Sequence, residues 1–583
     1  MESRSGYSNI PVLRGVLSVL VGISIIMLPL TYGWVSTVLD NEITSCGTFL
    51  LLLLVAFVLL AKSILRHRIV PFQLAKINIV DVFAVLFLCY CVFNVAIVDK
   101  WQLDRYMLYS WGSVIAGYLL LRCGRVTLSI LLYACCISGM VQSVLALCQR
   151  QGWIAGNSTL FDATGSFDNP GQLGGYIAIC CILSLGLLQY VRKARSRIGV
   201  FFLAVAIFIQ LYGLFLSDSR AAWVAFILGA GSLLYFCSSV PAYCRKHKTV
   251  FAIFLCLSVI AGGIAIYNYR PASAEARLLI WRVSADMVVD APLLGHGASS
   301  FSREYMLYQA SYFKENPSSP FMMVADNTIY PFNEFVGVVV RYGALGLLLV
   351  ALLFCSALCS SFKNRKSKIF KSGLLALSVF SFFSYPTGVF PLLLFYGFLL
   401  GGIKSKVIYS ISFPSWILSL IMIIIVALGV QTLKDGIFIK KMTNTLSALY
   451  QREAEINEVD YSRMRYNINF NDYYMTWMSR QADVVISRDK RIMDIQPSCE
   501  GYCMLGRYYM SQKVYSEAKN YLVLASFMIP TRIRPKYYLW ELYVSLGNKS
   551  KALEVAKEIL SMPLKLENSY TLRIKRKMKA YIE

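Results

Sequence analysis

Ile43–Ala61 reads ITSCGTFLLLLLVAFVLLA, nineteen consecutive residues without a charge. At about 1.5 Å of rise per residue, a helix of that length crosses a hydrocarbon core about 30 Å thick. Thr249–Tyr269, TVFAIFLCLSVIAGGIAIYNY, is a second such run, of twenty-one residues. Working outward from these two, about thirteen apolar stretches can be marked off, at roughly 12–34, 43–61, 79–98, 106–121, 127–148, 173–191, 198–217, 219–240, 249–269, 333–359, 370–384, 388–403 and 413–432. The pair near 370–403 is the weakest, because Pro386 and Pro391 interrupt it. The first run is long enough to stay as a span, and no small-residue cleavage pattern follows it. The expected fold is all-α: a polytopic membrane bundle with a soluble helical tail.

The connecting segments alternate in charge. Lys62, Arg66, Arg68 and Lys76 share one; Arg122 and Arg125 lie in another; Arg192, Lys193, Arg195 and Arg197 in a third. Arg245, Lys246 and Lys248, then Lys363 to Lys371, then Lys404 and Lys406 continue the series, while the intervening loops carry Asp40, Glu42, Asp99 and Asp162. The excess of Lys and Arg marks the cytoplasmic side. With thirteen spans this puts the N-terminus inside and the tail outside, in an inner membrane facing a periplasm. The same pattern accounts for much of the net charge of +25 and removes nucleic acid as a partner; the bilayer is the partner implied. The tail adds 25 Lys/Arg against 16 Asp/Glu, spread along it as a solvated basic face beside anionic lipid. Fourteen of the sixteen cysteines fall in or beside spans, where Cys acts as a small hydrophobe. Cys499 and Cys503, four apart, read as core-facing helix positions or an oxidisable pair. With three histidines and no ligand spacing, no metal site is expected.

Four parts follow: an N-terminal bundle (1–269), a large loop with amphipathic helices (270–332), C-terminal membrane helices (333–432) and a soluble tail (433–583). From about residue 497 the tail carries Leu505-Gly506, Tyr509, Ala518, Leu522, Ala525 and Pro530; Leu539, Tyr543 and Ala552 recur 34 residues on. That is tetratricopeptide spacing, with small residues where paired helices cross, and such stacks bind extended segments of protein partners. An ordinary amphipathic hairpin is the plainer reading. Residues 446–496 are expected to add further helices.

Four polar clusters stand in the outward half. Thr164–Tyr176 (TGSFDNPGQLGGY) offers Asn169 and Gln172 to a sugar or to the backbone of a re-entrant turn. Ser217-Asp218-Ser219-Arg220, with Trp223, sets an arginine on the side that disfavours one; an interfacial anchor is the alternative. Arg277, Trp281 and Arg282 sit on a helix ahead of Pro292-Leu293-Leu294-Gly295-His296-Gly297. Asp326-Asn327, Asn333-Glu334 and Arg341-Tyr342-Gly343 lead into a span. Ionisable groups at such depth face a cavity or a partner rather than lipid.

In this order the four clusters resemble the O-antigen ligase superfamily, which includes lipopolysaccharide O-antigen ligases, O-antigen polymerases and bacterial protein O-oligosaccharyltransferases. Residues 163–346 carry the motifs, and the hydrophobic plan extends the likeness to about 430. The resemblance implies a GT-C-type glycosyltransferase acting on a glycan linked to undecaprenyl pyrophosphate, with lipid A core, another glycan or a protein hydroxyl as acceptor. Lipid A core is favoured. Arg220 and Arg277 fall where the family has arginines that engage the pyrophosphate, and a loop folding back over the spans would bring both onto it. Asn169, Gln172, Asn333 and Arg341 complete the substrate-binding set. No cofactor is implied, since guanidinium groups can carry the leaving-group charge.

The acceptor side departs from the family. Phe332 stands where a histidine precedes the Asn-Glu pair, Gly337 replaces a glutamine and Arg341 a glutamate. Glu334 and Asp326 become the candidate catalytic bases, with His296 a third that reads more readily as structural. A chain without transferase activity, a glycan flippase and a scaffold are the rival readings; a flippase would need charges through mid-bilayer, and these are scarce.

Overall fold

The computed structural model describes residues 9–34, 39–66, 72–102, 104, 106–123, 126–158, 161–237, 271–360, 364–413, 415–451, 461–464, 467, 470–471, 495–565 and 567–583. The expected span at 249–269 and most of the helices expected over 446–496 lie outside the described residues. Each of the other twelve apolar stretches coincides with a helix: α1 (Asn9–Trp34), α2 (Asp40–Arg66), α3 (Ile79–Ile97), α4 (Met107–Arg122), α5 (Leu128–Arg150), α6 (Pro170–Lys193), α7 (Arg197–Leu216), α8 (Arg220–Cys237), then α11 (Glu334–Cys359), α12 (Arg365–Phe383), α13 (Phe390–Gly402) and α14 (Ser415–Gln451). Among the described residues, eight of these are long and apolar enough to cross a bilayer. The protein is an all-α, multi-pass membrane protein, and its chain forms two compact units.

The first unit comprises residues 1–90, 105–263 and 348–459. At its centre is α6, which is 83% buried over its span, against 11% for α3 and for α14. A bundle in lipid gains no hydrophobic energy from burying one apolar helix among others, so small residues that permit close approach select its neighbours. On α6, Gly175 receives the Phe380 ring of α12, Gly186 receives Ile369, and Gly174 receives Ser217, Ser219 and Ala222. Tyr176 completes the layer, its ring 5.2 Å from that of Phe395 and its hydroxyl 2.8 Å from Ser138 Oγ.

Polar side chains in this unit pair inside the bundle. Arg122 donates to both carboxylate oxygens of Asp81, at 2.8 and 2.7 Å, and to the Ile403 carbonyl at 2.8 Å; Tyr118 also bonds Asp81. Two of the basic segments are joined by a feature that the all-α expectation omits: strands β1 (Phe72–Asn78) and β2 (Val407–Phe413) pair antiparallel, Phe72 opposite Phe413 and Asn78 opposite Val407. The last helix, α14, runs to Gln451, well past the boundary expected at 432.

The second unit comprises residues 91–104, 264–347 and 460–583. It holds α9 (Pro271–Asp290), α10 (Ser300–Glu315), the head of α11, and the tail helices α15 (Cys499–Ser511), α16 (Tyr515–Met528), α17 (Ile533–Ser545), α18 (Lys549–Ser561) and α19 (Ser569–Ile582). In the tail each helix packs on the next, and α10 packs on α16. Gly506 admits Leu522 at the first crossing, and Ala518, Ala552 and Ala556 are fully buried.

Within this unit α11 is broken at Gly343, whose φ of 63° and ψ of −170° are not helical. A break in a membrane helix leaves peptide groups that must be satisfied by protein. The Pro292–Gly297 turn does so. Carbonyls of Val340 and Arg341 accept from the His296 and Gly297 N–H groups, both at 2.9 Å, and the Ala344 N–H donates to the Pro292 carbonyl at 2.8 Å. The turn is held from behind by Asn94, which donates to the Leu294 carbonyl at 2.7 Å, and by buried Asp99, which accepts from the Ala298 N–H at 2.6 Å and pairs with Arg303 at 3.0 Å. Two sequence clusters nearly fifty residues apart are therefore one backbone joint.

Candidate functional site

In the membrane unit the candidate residues gather at the heads of α6 and α8. Asn169 is the N-cap of α6: its Oδ1 accepts the Gly171 N–H at 2.7 Å, and Pro170 occupies the first turn. The loop before it is held by two glutamines of α5. Gln149 accepts from the Thr164 and Gly165 N–H groups at 2.9 and 2.8 Å, and Gln142 accepts from the Ser166 N–H at 3.0 Å. Phe167 is fully buried against Tyr176, ring centroids 5.5 Å apart, so it anchors the turn within protein.

Gln172 is buried, and its Nε2 lies 3.4 Å from the Tyr385 hydroxyl. Its Oε1 has no hydrogen-bond partner among the described residues. Burying an amide oxygen without a hydrogen bond costs about 1–3 kcal/mol. Arg220 opens α8, half-buried, after a Ser217–Ser219 turn in which Asp218 adopts φ 47°. Because Gly174 admits Ser217 and Ser219, the turn bearing Arg220 packs on the same end of α6 that bears Gln172. Tyr385, between α12 and α13, was not a sequence candidate; the signal was Pro386 beside it, read only as an interruption.

The second unit presents Arg277 on α9, half-buried, its guanidinium carbon 5.8 Å from the centroid of the Phe332 ring. One turn on, the Trp281 indole donates to the Pro331 carbonyl at 3.1 Å. Phe332 itself has φ 50°, an uncommon backbone state for a bulky residue and one that clusters at functional sites. Next to it Asn333 caps α11, accepting from the Phe335 and Val336 N–H groups at 3.0 and 3.2 Å.

Glu334, 5% exposed, meets Arg341 two helical turns later: Nη2 to Oε2 is 3.1 Å, and Arg341 Nε donates to the Gly337 carbonyl at 2.9 Å. A Cβ at position 337 would lie 2.6 Å from Arg341 Nη2. The departures at 337 and 341 thus form one arrangement, in which a glycine makes room for an arginine that pairs with Glu334. Two charges this deep are held out of water only as a pair.

The remaining candidates lie elsewhere in the second unit. Asp326 pairs with Arg532 at 3.2 Å and Lys565 at 2.9 Å, both in the tail. His296 contacts the Met287 carbonyl through Nε2 and Glu304 through Nδ1, both at 2.7 Å; the hydrogen bond to Glu304 raises its pKa against the effect of burial. Both ring nitrogens are engaged, which fits the structural reading. Arg282 is exposed and lies 3.9 Å from Asp286, on a face other than that of Arg277. Among the described residues no group of three or more His, Cys, Asp or Glu gathers as metal ligands.

Comparison with known proteins bears on the same segment. Residues 205–351 match the family model described as O-antigen ligase. That stretch holds Arg220, Arg277, Asn333, Glu334 and Arg341, while Asn169 and Gln172 precede it. A Rickettsia conorii protein whose name, polysaccharide ligase, is provisional is 24% identical over 233 residues, covering 37% of this chain and 48% of its own. The chain thus spans about half the length of that curated relative. Over residues 205–351, from α7 into α11, the chain is thus similar to the O-antigen ligase family.

Proposed function

We propose that the protein transfers an oligosaccharide from undecaprenyl pyrophosphate to an acceptor hydroxyl on the periplasmic face of the inner membrane, as a GT-C-type glycosyltransferase, with lipid A core as the first acceptor class. The observation that carries this reading is the place of Arg220 and Arg277. Both fall inside the family match and outside the basic segments, and each heads or lines a helix beside the polar residues described above. Guanidinium groups match phosphate oxygens in bidentate fashion and keep their charge.

In the proposed reaction the acceptor oxygen attacks the anomeric carbon. The C–O bond to pyrophosphate breaks, undecaprenyl pyrophosphate leaves with the electron pair, and the acceptor proton passes to a carboxylate. Glu334 is the residue we assign to that role, with Arg341 orienting it. Asn169 sets the head of α6, Asn333 sets the head of α11, and Gln172 offers its open amide oxygen to a sugar hydroxyl. The N-terminus is cytoplasmic and the tail periplasmic in this reading. Transfer to a protein hydroxyl is the second reading, favoured by the stacked helical pairs of the tail, which suit an extended polypeptide.

Deleting the gene and analysing lipopolysaccharide, capsule and secreted glycoproteins tests the proposal. Lipopolysaccharide is expected to lose its distal glycan while the carrier-linked precursor accumulates. Unchanged pools in all three fractions would refute transfer.

A further inference from the structure

The tail grips one short stretch of the large loop. Asp326 receives Arg532 and Lys565, and Lys565 also reaches the Ala325 carbonyl at 3.4 Å. Asn327 accepts the Cys499 N–H at 3.3 Å and donates to Glu500 at 2.5 Å, so the loop supplies a cap to α15 from outside the tail. Gln309 of α10, 1% exposed, donates to the Met528 carbonyl at 2.6 Å and the Asp326 carbonyl at 3.3 Å. The first residues of α15, α17 and α19 line one cleft of about 160 Å³, and Asp326 is part of its wall. Helix N-termini favour a carboxylate. Burial raises the Asp326 pKa, but Lys565, the Asn327 N–H and Arg532 outweigh it and hold the carboxyl below its ordinary value. The group is thereby held as a carboxylate between the loop and the tail.

Downstream of that grip the backbone from 325 to 333 is irregular. Its far end carries Pro331, bonded by Trp281, Phe332 under Arg277, and Asn333 at the head of α11. An irregular stretch of nine residues keeps one conformation only if its ends are fixed, since each freed residue regains roughly 1–2 kcal/mol of backbone entropy. The tail fixes one end and α11 the other.

We propose that Asp326 and Asn327 are positioning residues, through which the tail fixes the 325–333 segment and so the placement of Phe332, Asn333 and Glu334. The tail is then a working part of the acceptor side rather than an accessory module. The inference rests on the proposed transfer for its activity readout and on the geometry alone for its structural one.

The test uses full-length protein in liposomes with an undecaprenyl-pyrophosphate-linked oligosaccharide and acceptor lipid. Asp326→Ala is expected to raise hydrogen exchange across 325–333 and to lower transfer roughly 10- to 100-fold, as misplaced groups do, with an unchanged pH profile. The exchanged pair Asp326→Lys with Lys565→Glu, made together with Arg532→Gln so that no like charge faces the new lysine, restores the attraction with charges reversed, and should recover both exchange protection and most of the transfer. Recovery in the reversed pair supports positioning, and it also shows that the single variant had not merely failed to fold. Raised exchange with full transfer overturns the proposal. So does a loss that the reversed pair leaves unrepaired while exchange stays protected, because that result makes Asp326 the base. If the wild type transfers nothing, the proposed function falls, and the exchange data alone decide whether the tail holds the segment.

Discussion

Arg277→Ala and Arg220→Ala are each expected to lower glycan transfer by about 10²–10³, the scale of a missing donor to a developing oxyanion, with membrane insertion unchanged. The reasoning is electrostatic. In the proposed topology both arginines lie on the outward side, against the usual distribution of positive charge, and each sits at a structured position, Arg220 on the first turn of α8 and Arg277 over the Phe332 ring. Lysine keeps the charge but loses the planar fork, so Arg→Lys at either position should retain only a minor part of the activity. Arg282 is the control. It is exposed and paired only loosely with Asp286 at 3.9 Å, so Arg282→Lys should transfer at the wild-type rate. Turnover measured with donor in excess separates these cases. Full activity in both Arg220→Lys and Arg277→Lys would make the two arginines interfacial anchors.

Gly343→Ala is expected to remove most of the folded protein, and Gly343→Leu all of it. The backbone at 343 occupies a region open essentially to glycine alone, which any side chain enters at about 1–3 kcal/mol. An added Cβ would also strike the Leu293 carbonyl, and that carbonyl belongs to the turn that satisfies the broken turn of α11. Displacing it exposes several peptide groups at once in a setting where each unsatisfied one is expensive. Gly231 of α8 has open space around it, so Gly231→Ala should be neutral or slightly stabilising, as alanine is in a helix interior. The monodisperse fraction and the thermal midpoint in detergent read the difference. A normal midpoint in Gly343→Ala would show that the joint between the 292–297 turn and α11 carries little of the stability.

The membrane helices were legible in the sequence because their signal is local. An uncharged run such as Ile43–Ala61 has few other uses, and the structure starts α2 at Asp40. The family motifs were legible as strings, although their physical reasons were not. Arg341-Tyr342-Gly343 and Gly295-His296-Gly297 read as two clusters until the structure joins them by backbone hydrogen bonds. The losses at 337 and 341 looked independent, yet a glycine and an arginine together remake a partner for Glu334. Strands β1 and β2 escaped notice because short strands far apart in the chain carry no mutual signal. Asp326 reads from its neighbours as a spare carboxylate near the acceptor side; only the fold shows that residues about two hundred positions later claim it.

The most direct measurement is a reconstituted reaction that follows both products. Purified protein in liposomes receives an oligosaccharide on undecaprenyl pyrophosphate together with lipid A core. The account predicts glycan on the acceptor and free undecaprenyl pyrophosphate in equal amounts, both lost in Arg220→Ala and both retained in Arg282→Lys. Glycan that crosses the bilayer still attached to its carrier, with no acceptor modified, would contradict it and identify a transporter instead.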